Sequence, residues 1–231
     1  MMLLYASMIT AVIHWQAQGI KNRTIIVITK PLMMMFLISW VIYTGWFQNH
    51  LPLMPLLWFV LALVFGLGGD IFLLLPGKWF PVGLGYFLLG HICTIIGFGG
   101  WISTRSLGVW LIPASLALLA GLVWMLHKLF IGLTEKRQRT LRGPVTVYAL
   151  ALFYVLFLAA SRLFDPEWSK VPAALVTSAA FLFLLSDSMN AWHRFVFPIK
   201  HGRVWIMVSY HLAQLGFATG IIAHLTHGWM K

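Results

Sequence analysis

The stretch LMPLLWFVLALVFGLGGDIFLLL, residues 53–75, is apolar from end to end except for one acid, Asp70. As an α-helix it is long enough to cross a hydrocarbon core of about 30 Å. Runs of the same kind recur along the whole chain. The 231 residues are 61% hydrophobic and 9% charged, with a mean hydropathy of +0.89, far from the roughly 25% charged residues of a soluble domain. The sequence lacks the alternating segments of about ten residues that mark a transmembrane barrel. The pattern predicts an all-α, polytopic membrane helical bundle.

About eight transmembrane helices fit the breaks, over roughly 2–17, 24–45, 53–75, 80–101, 108–128, 143–162, 170–192 and 203–226. The breakers fall between them at Asn49-His50-Leu51-Pro52, Pro76-Gly77, Arg142-Gly143-Pro144, Asp165-Pro166 and Pro198. No connection is long enough for a soluble domain, so residues 1–231 form a single membrane-embedded domain. The first segment, MMLLYASMITAVIHW, has no basic start and no small-residue cleavage pattern, and reads as a retained span. Cys93 stands alone inside an apolar run, which excludes a disulfide framework and a thiolate metal site.

Lysine and arginine set the expected orientation. One set of connections holds Lys21, Arg23, Lys78, Lys128, Lys136, Arg137, Arg139, Arg142, Arg194, Lys200 and Arg203. The other holds Arg105, Arg162, Lys170 and Lys231. The first set therefore faces the cytoplasm and both termini lie outside. The net charge of +11 follows from this bias and from attraction to anionic lipid. The basic residues are scattered over short loops, so the expected surroundings are a lipid bilayer and not nucleic acid.

The chain has only five acidic residues. Glu135, Asp165 and Glu167 fall in connections and read as solvated loop charges. Asp70 and Asp187 fall inside spans, where an ionisable group is expensive and functional use is the default reading. Each lies about five or six residues from the basic end of its span, roughly 8–9 Å deep. Lys30, Tyr148 and Tyr210 lie at similar depth, and His91 and Gln214 lie deeper. This arrangement predicts a polar cavity opening toward the cytoplasmic face. Plainer readings stand beside it: a structural Lys30–Asp70 ion pair, an interfacial Asp187, and interhelical hydrogen bonds for His91, Tyr210 and Gln214. His14, His50, His127, His224 and His227 sit near span ends and read as interfacial. His193, His201 and His211 surround one connection near Asp187, but without metal-site spacing.

The ordered motifs Thr29-Lys30-Pro31, Gly69-Asp70, Gly83-Leu84 with Phe87 and Gly90-His91, Pro144 with Tyr148, Ser186-Asp187 with Ala191 and Phe195, and Tyr210 with Gln214 resemble the lysoplasmalogenase-like membrane family of YhhN type. The resemblance runs from about residue 24 to residue 216. Two positions depart from the family pattern: Gly66 replaces a frequent Ser, and Thr94 replaces a usual Tyr. The resemblance implies a hydrolase cleaving the vinyl ether bond of lysoplasmalogens, a class of lysophospholipid, to a fatty aldehyde and a glycerophospho-base. It implies no metal and no organic cofactor, and a place in a bacterial cytoplasmic (inner) membrane.

The residues support that chemistry on their own terms. Vinyl ether hydrolysis needs an acid to protonate carbon, an anion near the resulting oxocarbenium ion, and a placed water. Two carboxyls in unlike surroundings divide such roles. The expected catalytic residues are Asp70, Asp187 and His91, with Lys30, Tyr148, Tyr210 and Gln214 binding substrate. Two rival readings remain open: a small proton-coupled transporter or lipid-binding protein, and a zinc-dependent lipid amidase of the ceramidase kind. The latter requires the histidines to converge on Asp70 or Asp187.

Overall fold

The computed structural model describes residues 1–51, 53–99, 109 and 111–228. Pro52, Arg105, Lys231 and the junction between the expected fourth and fifth spans lie outside the described residues. Among the described residues there are no strands. Among the described residues there are eight long α-helices: α1 (Met2–Gly19), α2 (Arg23–Ile42), α3 (Leu53–Leu74), α4 (Phe80–Gly97), α5 (Leu111–Glu135), α6 (Arg142–Ser161), α7 (Lys170–Phe195) and α8 (Gly202–Gly228). A π-helical turn, Tyr43–Gln48, extends α2. Among the described residues seven helical segments are long and apolar enough to cross a membrane, and α1 is not in that set. The helices overrun the expected spans mainly at α5 and α7, whose last turns carry polar residues that hydropathy alone discounts.

Burial follows the helix faces. A central cluster joins Met33, Met34 and Leu37 of α2, Leu56 and Leu63 of α3, Leu152 and Val155 of α6, Val176 of α7 and Ile221 of α8. Helices α3 and α4 approach closely because glycine lines their contact, as is common where membrane helices pack. A Cβ on Gly69 would stand 2.6 Å from the Phe87 ring, and one on Gly68 would run into the Tyr86 ring. The glycines preceding Asp70 therefore admit the neighbouring helix, and this brings α4 beside the acid.

The two ends of the bundle are closed differently. At the end opposite the basic loops, Arg162 donates to Asp165 Oδ2 and to the Phe98 carbonyl, each at 2.7 Å. Asp165 is only 9% exposed and also accepts the Glu167 amide at 3.0 Å. The expectation of a solvated loop charge fails for Asp165, because Arg162 three residues earlier folds over it. Glu135 and Glu167 are exposed as expected. At the basic end, a smaller cluster of Phe80, Leu129, Leu133, Val145 and Phe195 ties α5 to α4, α6 and α7.

That junction depends on Gly132, where any Cβ would run into the Phe195 backbone carbonyl. Gly132→Ala is expected to destabilise the protein by about 1–3 kcal/mol through overpacking. Gly121→Ala, on the same helix with open space around it, is expected to be neutral or stabilising by up to about 1 kcal/mol. Thermal midpoints in detergent check the contrast, and equal midpoints for the two variants contradict the junction.

Candidate active site

Two chains of polar side chains cross the bundle near its basic end. The first joins three helices. Asp70 of α3 is fully buried, and its Oδ1 lies 3.0 Å from Nζ of Lys30 on α2. Its Oδ2 accepts from the Tyr210 hydroxyl of α8 at 2.8 Å, and Tyr210 accepts in turn from the Gln214 amide at 3.1 Å. The i, i+4 spacing puts Tyr210 and Gln214 on one face of α8. A Cβ at Gly66 would stand 3.2 Å from Gln214 Nε2, so the departure at Gly66 leaves that amide its room.

The second chain has the same logic on other helices. The Tyr148 hydroxyl of α6 donates to Oδ2 of Asp187 on α7. His91 Nε2 of α4 lies 3.1 Å from the Tyr148 oxygen. The single phenolic hydrogen is committed to Asp187, so His91 must be the donor, which assigns its hydrogen to Nε2. Each acid thus receives a tyrosine hydroxyl, and each tyrosine receives a neutral donor. The acids differ in one respect: Asp70 faces an ammonium, whereas no lysine or arginine among the described residues pairs with Asp187.

Phe183 lies between the chains, its ring centroid 4.9 Å from that of His91 and 5.5 Å from that of Tyr210. Among the described residues no hydrogen bond joins Asp70 to Asp187. All seven expected site residues belong to these two chains. Lys30 is engaged by Asp70 and is not a free cation.

A third polar group was read from the sequence as interfacial and is buried. His14 of α1 is 0% exposed. Its Nδ1 lies 2.9 Å from Thr29 Oγ1, and Gln18 Nε2 lies 3.1 Å from its Nε2. Thr29 gives its own hydrogen to the Ile25 carbonyl, so His14 carries hydrogen on Nδ1. The His211 ring packs at 5.1 Å and accepts from Trp15 Nε1 at 3.0 Å. These rings brace the turn of α2 that carries Lys30. The i, i+4 spacing of His14 and Gln18 was the available signal, but their partners on α2 and α8 are remote in sequence.

The histidines expected for a zinc site do not converge. His193 Nδ1 accepts the Ile199 amide at 2.9 Å and His201 is exposed. Among the described residues no three metal-capable side chains gather.

Three cavities meet this site. At the basic end a vestibule of about 670 Å³ is lined by Lys21, Arg23, Lys30, Arg194 and Arg203, with no carboxylate among its described lining residues. A small, mostly apolar cavity of about 80 Å³ has Tyr148 and Asp187 in its lining. A smaller one of about 40 Å³ reaches His91 and Gln214. Leu73, Phe80 and Asn190 line both the vestibule and the cavity of Asp187. The site accordingly joins a cationic mouth, two carboxyls in unlike surroundings and an apolar slot.

The YhhN family model matches residues 25–221, a span that holds every residue of both polar chains. The chain belongs to the YhhN family. Pig and human proteins named lysoplasmalogenase TMEM86B are similar to it, at 29% and 28% identity over 154 residues. Each match covers 67% of this chain but only 58% of the relative. No solved structure matches the chain. His14, Trp15 and Gln18 precede the part that matches the YhhN model, so the brace behind Lys30 lies outside it.

The pairing of Lys30 with Asp70 makes a directional prediction. Lys30→Met leaves a buried carboxylate without its counter-ion and is expected to cost about 3–5 kcal/mol. Adding Asp70→Asn to that variant is expected to recover much of the loss. Thermal or denaturant unfolding of both single variants and the double variant measures the coupling; strict additivity contradicts the pair.

Proposed function

We propose that this protein is a membrane hydrolase that cleaves the vinyl ether bond of lysoplasmalogen-type lysophospholipids. The observation that carries the reading is that Asp187 lines an apolar slot which shares Leu73, Phe80 and Asn190 with a cationic vestibule. A substrate that fits both has an anionic head and one hydrocarbon chain, with its ether linkage between them. The family membership and the relatives' printed names support the same chemistry.

In the proposed mechanism the Asp187 carboxyl protonates the outer carbon of the vinyl ether, producing an oxocarbenium ion. Tyr148, held by His91, fixes that carboxyl. The Asp70 carboxylate, held by Lys30 and Tyr210, supplies negative charge to offset the developing cation. Water adds to the inner carbon and gives a proton to the Asp187 carboxylate. The hemiacetal then collapses to a fatty aldehyde and the freed glycerol hydroxyl. Lys21, Arg23, Arg194 and Arg203 of the vestibule attract the phosphate.

The excess of lysine and arginine at the vestibule end supports a cytoplasmic placement for it and an outer placement for both termini. The proposed location is a bacterial cytoplasmic (inner) membrane.

Purified protein is expected to release fatty aldehyde from a lysoplasmenyl lipid, equally with and without chelator. Asp187→Asn is expected to lower kcat/KM at least about 100-fold, the loss typical of a removed general acid. Full activity in a folded Asp187→Asn protein overturns the mechanism. Chelator sensitivity moves the chemistry to a metal.

A further inference from the structure

Helix α5 is held firmly at its C-terminal end. Its buried residues are Leu111 and, in the last two turns, Leu129, Gly132 and Leu133. There Arg142 donates to the Phe130 carbonyl at 3.1 Å and to Thr134 Oγ1 at 2.5 Å. Lys136 donates to the Arg194 carbonyl. Farther up, Leu118, Leu122, Met125 and Leu126 continue the helical spacing of Leu129 and face the bundle, yet all four are only half-buried.

The reason is the apolar cavity. Leu122, Met125 and Leu126 of α5 line it together with Leu84 and Phe87 of α4. The outer faces of both helices are apolar and exposed, with Val123 and Trp124 on α5 and Leu89 and Ile92 on α4. A cleft between two such helices borders hydrocarbon on its outer side and the Tyr148–Asp187 pair on its inner side. From Leu129 to Leu122 the wall rises about 10 Å along the membrane normal, shorter than an extended sixteen-carbon chain.

We propose that this cleft is the binding site for a single unbranched hydrocarbon chain, entered sideways from the bilayer between α4 and α5. The reacting end of the chain lies at Asp187, its middle lies along the stripe of α5, and its far end leaves through the seam into lipid. The narrow cavity excludes a second chain alongside the first, which selects lysolipids over two-chain lipids. The assignment rests on the reading of the site as a lysolipid hydrolase, but it concerns binding and does not require turnover.

The test uses the full chain in nanodiscs and a lysophosphatidylethanolamine with a diazirine at mid-chain. Illumination followed by peptide mapping is expected to place the label on residues 118–126 of α5 and 84–87 of α4. Unlabelled lysolipid is expected to compete, and two-chain phosphatidylethanolamine is not. Label concentrated on α1 or α2, or spread evenly over the lipid-facing helices, overturns the proposal, as does equal competition by the two-chain lipid. Leu126→Trp is expected to reduce labelling at the seam at least tenfold and to raise KM for a sixteen-carbon lysoplasmenyl lipid by a similar factor, with kcat within twofold. A fall in kcat alone, with KM and labelling unchanged, contradicts it. Leu126→Ala, a milder change, is expected to retain labelling at α4; its loss there counts against the site. Seam labelling in a protein that releases no aldehyde removes the hydrolase reading and leaves the chain site standing.

Discussion

The Lys30 ammonium and the Asp70 carboxylate, 3.0 Å apart inside an apolar bundle, constrain most of what surrounds them. Either charge alone would carry a desolvation cost of several kcal/mol, and a pair offsets it only with good geometry and satisfied oxygens. The bundle meets that condition with three helices. Tyr210 covers the second Asp70 oxygen, Gln214 covers Tyr210, and Thr29 beside Lys30 is fixed by His14. Helices α2, α3 and α8 are thereby held in register by polar contacts, in a setting where apolar packing alone specifies register weakly. The glycines of α3 complete the arrangement by letting α4 close over the acid.

The second polar chain repeats the first with one part missing. Gln214, Tyr210 and Asp70 have counterparts in His91, Tyr148 and Asp187, but among the described residues Asp187 has no counterpart to Lys30. A carboxylate fixed by an ammonium is suited to remain an anion and stabilise charge. A carboxyl held only by a phenol, at the edge of an apolar cavity, is suited to exchange its proton with what occupies that cavity. The proposed division of roles rests on their partners, since both residues are aspartates. The vestibule adds an attraction for anions, because Lys21, Arg23, Arg194 and Arg203 line it with no carboxylate among its described lining residues.

Much of this site was legible in the sequence, because polar residues in a membrane span are costly and therefore conspicuous. Lys30, Asp70, His91, Tyr148, Asp187, Tyr210 and Gln214 each stood out against an apolar background, and all seven lie in the two chains. Pairing was not legible. Tyr148 and Tyr210 are alike in sequence, yet one serves Asp187 and the other Asp70. His14 was misread because its hydrogen-bond partners come from helices that only folding brings near. Asp165 was misread because a loop charge is normally solvated, and Arg162 folds over it only through the turn after α6.

The sequence by itself determined that the chain is a helical membrane bundle, where its spans lie, and which polar groups must be accounted for. Those properties follow from transfer free energies and from the fixed rise of an α-helix, both of which act locally. Tertiary structure alone decided which acid meets the lysine, which histidine reaches a tyrosine, and where helices stand far enough apart to leave a slot. Such outcomes depend on side-chain volumes between helices, as at Gly69 and Gly132, where a single Cβ decides whether two backbones can approach.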